Sequence, residues 1–195
     1  MTFNDVGYEV VRNILSKETC DILAMEFTFI EYIRSQGAPE EFVGGSWNDG
    51  QCNSGSFSKY SHIPFEVLSI HLLPKIESVV GKKLAPTYTY ARIYKNGTTL
   101  EKHVDREPCE YSATITLSKD GTDWPIYMAG SPIELEIGDA AIYKGGEVEH
   151  WRNAYQGEQH VQVFLHYVDI NGPNSEHIFD KRPYIGYPAN NKNDF

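Results

Sequence analysis

His103 and Asp105 stand two positions apart, and His150 follows much further along the chain. Two neutral imidazoles and one carboxylate on a single triangular face hold a divalent metal, iron(II) in particular. They leave adjacent coordination positions open, as activation of dioxygen requires. On a β-strand, residues 103 and 105 project from the same side, so an H-x-D pair can chelate where H-H or H-x-x-D would not. With 7 histidines in 195 residues, an isolated H-x-D carries little weight. The elements around it must supply the rest.

Those elements fall into a helical first part and a β-rich second part. Residues 6–15 supply a short strand-like run. Ser16, followed by Glu18 and Asp21, offers an N-cap with acids in the first helical turn, and the helix should end near Gly37. Along it Ile22, Leu23, Met25, Phe27, Phe29, Ile30 and Ile33 form a broad apolar stripe, which predicts packing against a sheet. Residues 37–61, rich in Gly, Ser and Asn, read as an ordered surface loop. A second helix is expected over 64–80, with Pro64 in its first turn and Pro74 kinking or interrupting it. From Leu84 onward, strand-like runs recur at 87–95, 100–104, 111–118, 125–128, 133–143 and 160–169, at the spacing of an all-β barrel or sandwich. In 111–118, Ser112, Thr114 and Thr116 share one face and Tyr111, Ala113, Ile115 and Leu117 the other, so one face can line a polar interior. The expected organisation is one domain over 1–195: a helical support region at 1–83, a β core at 84–170, and a tail at 171–195 that wraps the outside or covers an edge.

Composition narrows the partners. Seventeen Lys and Arg against 27 Asp and Glu give a net charge of −10, a field that repels phosphate backbones and anionic lipid. Neither nucleic acid nor membrane is an expected partner; a small molecule or a peptide is, and the oligomeric state is left open. No apolar run approaches the roughly 20 residues of a membrane span. Cys20, Cys52 and Cys109 are odd in number and widely spaced, which predicts reduced thiols and, with the polar amino terminus, a soluble cytoplasmic protein.

The stretch 90–167 resembles the non-haem Fe(II)/2-oxoglutarate-dependent dioxygenases, in their prolyl-hydroxylase-like branch. The resemblance rests on Tyr94-Lys95-Asn96-Gly97, then His103-x-Asp105, then the Gly138-Asp139 turn leading to His150. It implies a mainly β, double-stranded β-helix (jelly-roll) fold with amino-terminal helices packed on the sheet. It also implies Fe(II) held by His103, Asp105 and His150, 2-oxoglutarate as cosubstrate, and hydroxylation of proline or a prolyl peptide. Tyr94 matches a tyrosine that lines the cosubstrate pocket. The family's usual Lys or Arg after the distal histidine is replaced here by His160. A dianion inside a barrel needs a cation, and the candidates are a protonated His160, Arg152, Arg92 and Lys144, with Thr114 and Gln162 as neutral hydrogen-bonding partners. The replacement at 160 keeps two other readings in view: a cupin-like metal-binding barrel without oxygenase activity, and an iron oxygenase that uses no 2-oxoglutarate. His166 is expected to be a hydrogen-bonded interior residue, and His62, His71 and His177 surface residues. Trp124 and Trp151 are expected in the core, and Asp139 in a Gly-Asp turn. Arg106 either meets substrate or balances Glu107 and Glu110.

Overall fold

The computed structural model describes residues 3–47, 49–52 and 55–187. A short helix α1 (Phe3–Val6) leads to strand β1 (Tyr8–Val11) and then to α2 (Lys17–Ser35). Ser16 caps α2 as expected, its hydroxyl accepting from the Thr19 amide at 3.2 Å. The segment read as a loop contains a helical turn, α3 (Glu40–Val43), and a strand, β2 (Phe57–Tyr60). Its Gly- and Ser-rich composition hides a strand that forms only because β3 offers it an edge. Helix α4 (Ile63–Val80) runs through Pro74 without interruption. Pro74 and Ile70 both sit on the exposed side, where water can satisfy the carbonyl that proline leaves unbonded.

The β region comprises β3 (Leu84–Lys95), β4 (Leu100–His103), β5 (Tyr111–Lys119), β6 (Ile126–Met128), β7 (Ser131–Ile133), β8 (Ala140–Lys144), β9 (His150–Arg152) and β10 (Gln159–Asp169). They form a six-stranded sheet in the order β1-β8-β5-β10-β3-β2 and a four-stranded sheet in the order β4-β9-β6-β7, with every pairing antiparallel. The run expected as one strand over 133–143 is two strands, β7 and β8, separated by the Gly138-Asp139 turn. Asp139 pins that turn by accepting from the Asn13 and Glu136 amides at 2.9 and 3.0 Å and from Arg12 at 2.6 Å.

Period-two alternation sorts the six-stranded sheet into two faces. Ala113, Ile115 and Leu117 of β5, Val161, Val163 and Leu165 of β10 and Ala91 and Ile93 of β3 join Phe27 and Ile30 of α2 and Phe65, Leu72 and Ile76 of α4 in the main core. Burying side chains of this size contributes about 1.5–3 kcal/mol each. The opposite face carries Arg92, Tyr94, Ser112, Thr114, Thr116, His160, Gln162 and His166, all buried, toward the four-stranded sheet. The stripe on α2 packs only in part as expected: Ile22, Met25 and Phe29 are exposed.

The tail packs against β3. A 3-10 segment at Ser175–Lys181 places Asp180 on the Tyr60 hydroxyl at 2.5 Å, and Arg182 forms a buried ion pair with Glu66 at 2.8 Å. Residues 188–195, also expected to cover an edge, lie outside the described residues. His62, expected at the surface, is buried at the start of α4 with its Nε2 2.8 Å from the Glu26 carboxylate. Among the described residues no helix is long and apolar enough to cross a membrane.

Gly138 has φ +88°, and a Cβ there would lie 2.5 Å from the Leu15 carbonyl. Gly138→Ala is expected to lower stability by about 2–3 kcal/mol, read as a lowered urea midpoint with an unchanged slope.

Candidate metal centre

The antiparallel pairing of β4 with β9 sets His103, the last residue of one, opposite His150, the first of the other. Their ring centroids are 4.3 Å apart. His103 Nδ1 donates to the Glu101 carbonyl at 2.6 Å and His150 Nδ1 to the Val148 carbonyl at 2.9 Å. Because a carbonyl can only accept, each neutral ring carries its proton on Nδ1 and presents a bare Nε2 lone pair. Both Nε2 atoms lie 3.6 Å from Asp105 Oδ1. Cis ligands with bonds of about 2.1 Å sit roughly 3 Å apart, so a small contraction closes the set on one ion.

Asp105 does not lie on β4, as the parity argument assumed; the strand ends at His103. The carboxylate is instead positioned by contacts. Its amide donates to the Gly145 carbonyl at 2.9 Å, and its Oδ2 accepts from the Ser112 hydroxyl at 3.1 Å. Gly145 has to be glycine because a Cβ would sit 2.0 Å from the Cys109 carbonyl and 2.7 Å from Asp105 Oδ2. Burial opposes ionisation of Asp105, but the His103 contact and the charge of the surrounding imidazoles, when these are protonated in the absence of a metal, outweigh it and hold the carboxyl at about 2. Burial also works against the charged form of both histidines: it lowers His150, whereas the Asp105 and Glu101 contacts raise His103.

A second group of donors, Asp105, Cys109 and His166, adjoins the first and shares its aspartate. His166 Nδ1 is 2.8 Å from Ser112 Oγ, so Ser112 links it to Asp105. Burial drives His166 down to about 4, consistent with a neutral interior ring. Cys109 Sγ meets the Tyr88 hydroxyl at 3.1 Å, and the buried Tyr143 ring stands 4.8 Å from His150. The sequence marked Cys109 only as a reduced thiol and did not mark Tyr143, which lies on β8. A bulky residue on a regular strand carries no mark of facing the interior beyond its parity.

The candidate counter-ions separate clearly. His160 is 2% exposed, and burial together with the nearby Arg152 charge pushes it down to about 3, which leaves the ring neutral beside that cation. Lys144 points outward to Glu147 at 3.3 Å. Arg92 is already matched. Its Nε donates to Asp49 at 2.6 Å inside the protein, and it also bonds Gln51 and the Tyr94 hydroxyl. Arg152 is different. It is 3% exposed, donates to the Trp124 carbonyl at 2.5 Å and lies with its guanidinium carbon 4.4 Å from the Trp124 ring centroid. Burial lowers it to about 10, and the neighbours opposing that shift are tyrosines rather than carboxylates. Trp124 therefore sits in a small cluster with Tyr94, Tyr155 and Phe164 beside this cation, whereas Trp151 is half-buried and stacks on Tyr127. Gln162 accepts from His160 and Thr116 through Oε1 and donates to Thr114 Oγ1 at 2.7 Å. Thr114, having accepted, keeps its own proton for an interior acceptor.

Solved structures share this architecture at low sequence identity. A prolyl-4-hydroxylase from Pseudomonas putida superposes with a TM-score of 0.63 at 14% identity, over 86% of this chain and 95% of that one. AviO1 from Streptomyces viridochromogenes gives 0.69 at 14% identity, over 88% and 93%. HygX from Streptomyces hygroscopicus, solved with nickel and 2-oxoglutarate bound, gives 0.61 at 14% identity, over 87% and 85%. No protein-family model and no curated protein sequence matches the chain. The chain has the double-stranded β-helix fold of these proteins, as the strand pattern and the resemblance implied.

Two outcomes follow from this geometry. Gly145→Ala is expected to displace Asp105 and weaken metal affinity roughly 10–100-fold, measured by calorimetric titration with Mn(II). Below pH 6.5 the unfolded chain protonates His160 while the folded chain stays neutral until about 3, so stability falls as the solution is acidified. At pH 5 the loss is about 2 kcal/mol relative to pH 7, and His160→Gln should remove that share in urea melts.

Proposed function

We propose that this chain is an Fe(II)- and 2-oxoglutarate-dependent oxygenase, acting as one domain over residues 1–195, that hydroxylates a small molecule or a peptide. The observation that carries the reading is that the short strand β9 bears both His150, one of the three donors, and Arg152, a buried guanidinium with no acid partner among the described residues. His150 and Arg152 point to the same side, about 6.6 Å apart along the strand, the scale of a five-carbon dicarboxylate.

The donor set fits iron. His103 and His150 would offer Nε2 and Asp105 Oδ1, with Ser112 and the Glu101 and Val148 carbonyls fixing their orientation. When bound, iron and 2-oxoglutarate would supply the chemistry by which dioxygen is consumed, one oxygen atom entering succinate as the keto acid loses CO2 and the other entering the hydroxylated substrate carbon. The chain's own share is positional. Arg152 would neutralise the far carboxylate with a planar fork, Thr114 would donate its hydroxyl proton there, and Gln162 would hold Thr114 in that orientation. Tyr94 and Trp124 wall the pocket and keep water from the ion pair. His160 acts as a neutral spacer, its Nε2 committed to Gln162. A cation carried on β9 removes the reason for the two readings without 2-oxoglutarate, which rested on the missing charge at 160. The likeness to a prolyl-4-hydroxylase supports proline or a prolyl peptide as the first substrate to test. Three free cysteines support a reducing, cytoplasmic setting.

Anaerobic titration with Fe(II) and then 2-oxoglutarate is expected to produce a weak visible charge-transfer band and to raise the melting temperature. Arg152→Gln should keep Fe(II) binding but raise the half-saturation for 2-oxoglutarate roughly 10–100-fold, whereas His103→Ala should abolish both. Iron binding with no band and no shift on adding the keto acid would return the structural barrel to first place.

A further inference from the structure

Among the described residues, the packing of α2 and α4 leaves an apolar surface without a cover. Inner positions of both helices face the six-stranded sheet, yet the outer positions are apolar as well. On α2, Ile22, Met25, Phe29 and Tyr32 follow at three- and four-residue steps and are 57% to 71% exposed. On α4, Ile63, Val67 and Ile70 repeat the pattern at 50% to 60%. A helix apolar on both faces is ordinarily buried on both.

The two ridges belong to one surface. Glu26 of α2 bonds His62 at the start of α4, and beneath that seam the Phe27 and Phe65 rings meet edge to face at 5.6 Å. At roughly 100 Å² apiece, half of what a large side chain can bury, the seven side chains present on the order of 700 Å². That exceeds the roughly 300–600 Å² of the largest apolar patch on a typical monomer and approaches the roughly 800 Å² that each partner buries in a stable interface. None of the seven is charged, although the chain as a whole carries −10. Of the charged residues bordering the ridges, Asp21 pairs with Lys17 and Glu26 bonds His62, so two copies of this acidic chain meet less repulsion here than where acids stand unmatched.

We propose that the outer face of α2 and α4 is a two-fold interface between two copies of this chain. Such an interface is isologous, each ridge meeting the partner's ridges, with Met25, Phe29 and Tyr32 supplying the side-chain types enriched at interface centres. Because both helices lie on the outer side of the six-stranded sheet, away from His103, Asp105 and His150, the dimer does not depend on the oxygenase reading.

Sedimentation velocity on the full chain across the micromolar range is expected to give twice the monomer mass. Phe29→Glu combined with Val67→Glu should weaken the dissociation constant at least about a hundredfold while leaving the far-UV circular dichroism unchanged. The milder pair Met25→Ser and Ile70→Ser should shift it in the same direction if charge on the face impairs folding. Phe42→Ser, which removes an 81% exposed side chain off both ridges, should leave the mass unchanged. A monomer at every concentration, a dimer that survives both pairs of substitutions, or open-ended aggregation would overturn the proposal. So would binding of a monomer to phosphatidylcholine vesicles that the same substitutions abolish.

Discussion

A guanidinium withdrawn from water has to meet negative charge or the structure bears several kcal/mol of unreturned desolvation. Among the described residues, Arg92 and Arg152 lie in the barrel interior and are treated in opposite ways. Arg92 is closed off by Asp49, with both side chains almost fully buried. Arg152 rests on an aromatic face and a carbonyl, partners that stabilise a cation without cancelling it. The proposal that this interior receives a small dianion rests on that asymmetry. The strand pairing that brings His150 opposite His103 also carries Arg152 inward two residues later.

The imidazole pair shows how little regular geometry the centre needs. Two backbone carbonyls two residues upstream of each ring set the tautomers, and those carbonyls belong to the same local chain as the histidines they orient. Asp105 is the long-range member, held by Gly145, Ser112 and, through Ser112, His166, so β5, β10 and the turn after β8 converge on one carboxylate.

Much of this was legible before the structure. Alternation in 111–118 separated the interior hydroxyls Ser112, Thr114 and Thr116 from Ala113, Ile115 and Leu117 on the core side. The H-x-D spacing located two of the three donors, although Asp105 reaches its place from a loop and not by strand parity. What the sequence could not display were relations between distant segments. Nothing in the Gly/Ser-rich stretch hinted that Asp49 would reach the barrel interior and neutralise Arg92, and nothing near His160 showed that burial would strip it of its proton. Four candidate cations therefore stayed open in the sequence, and among the described residues it is Arg152 on β9 that is buried without a carboxylate partner. The broad stripe on α2 was read as one face because composition alone does not separate an inward apolar residue from an outward one.

The Asp49–Arg92 bond ties an outer segment electrically to the heart of the fold. Segments between helices are where related proteins usually exchange sequence to accept new molecules, since insertions there disturb little else. Here that freedom is curtailed: a transplanted segment lacking an acid at the corresponding place would strand a positive charge inside the barrel and give it a second unmatched cation. Recognition and interior neutrality are thus inherited together, and diversification of this region has to proceed around a fixed aspartate.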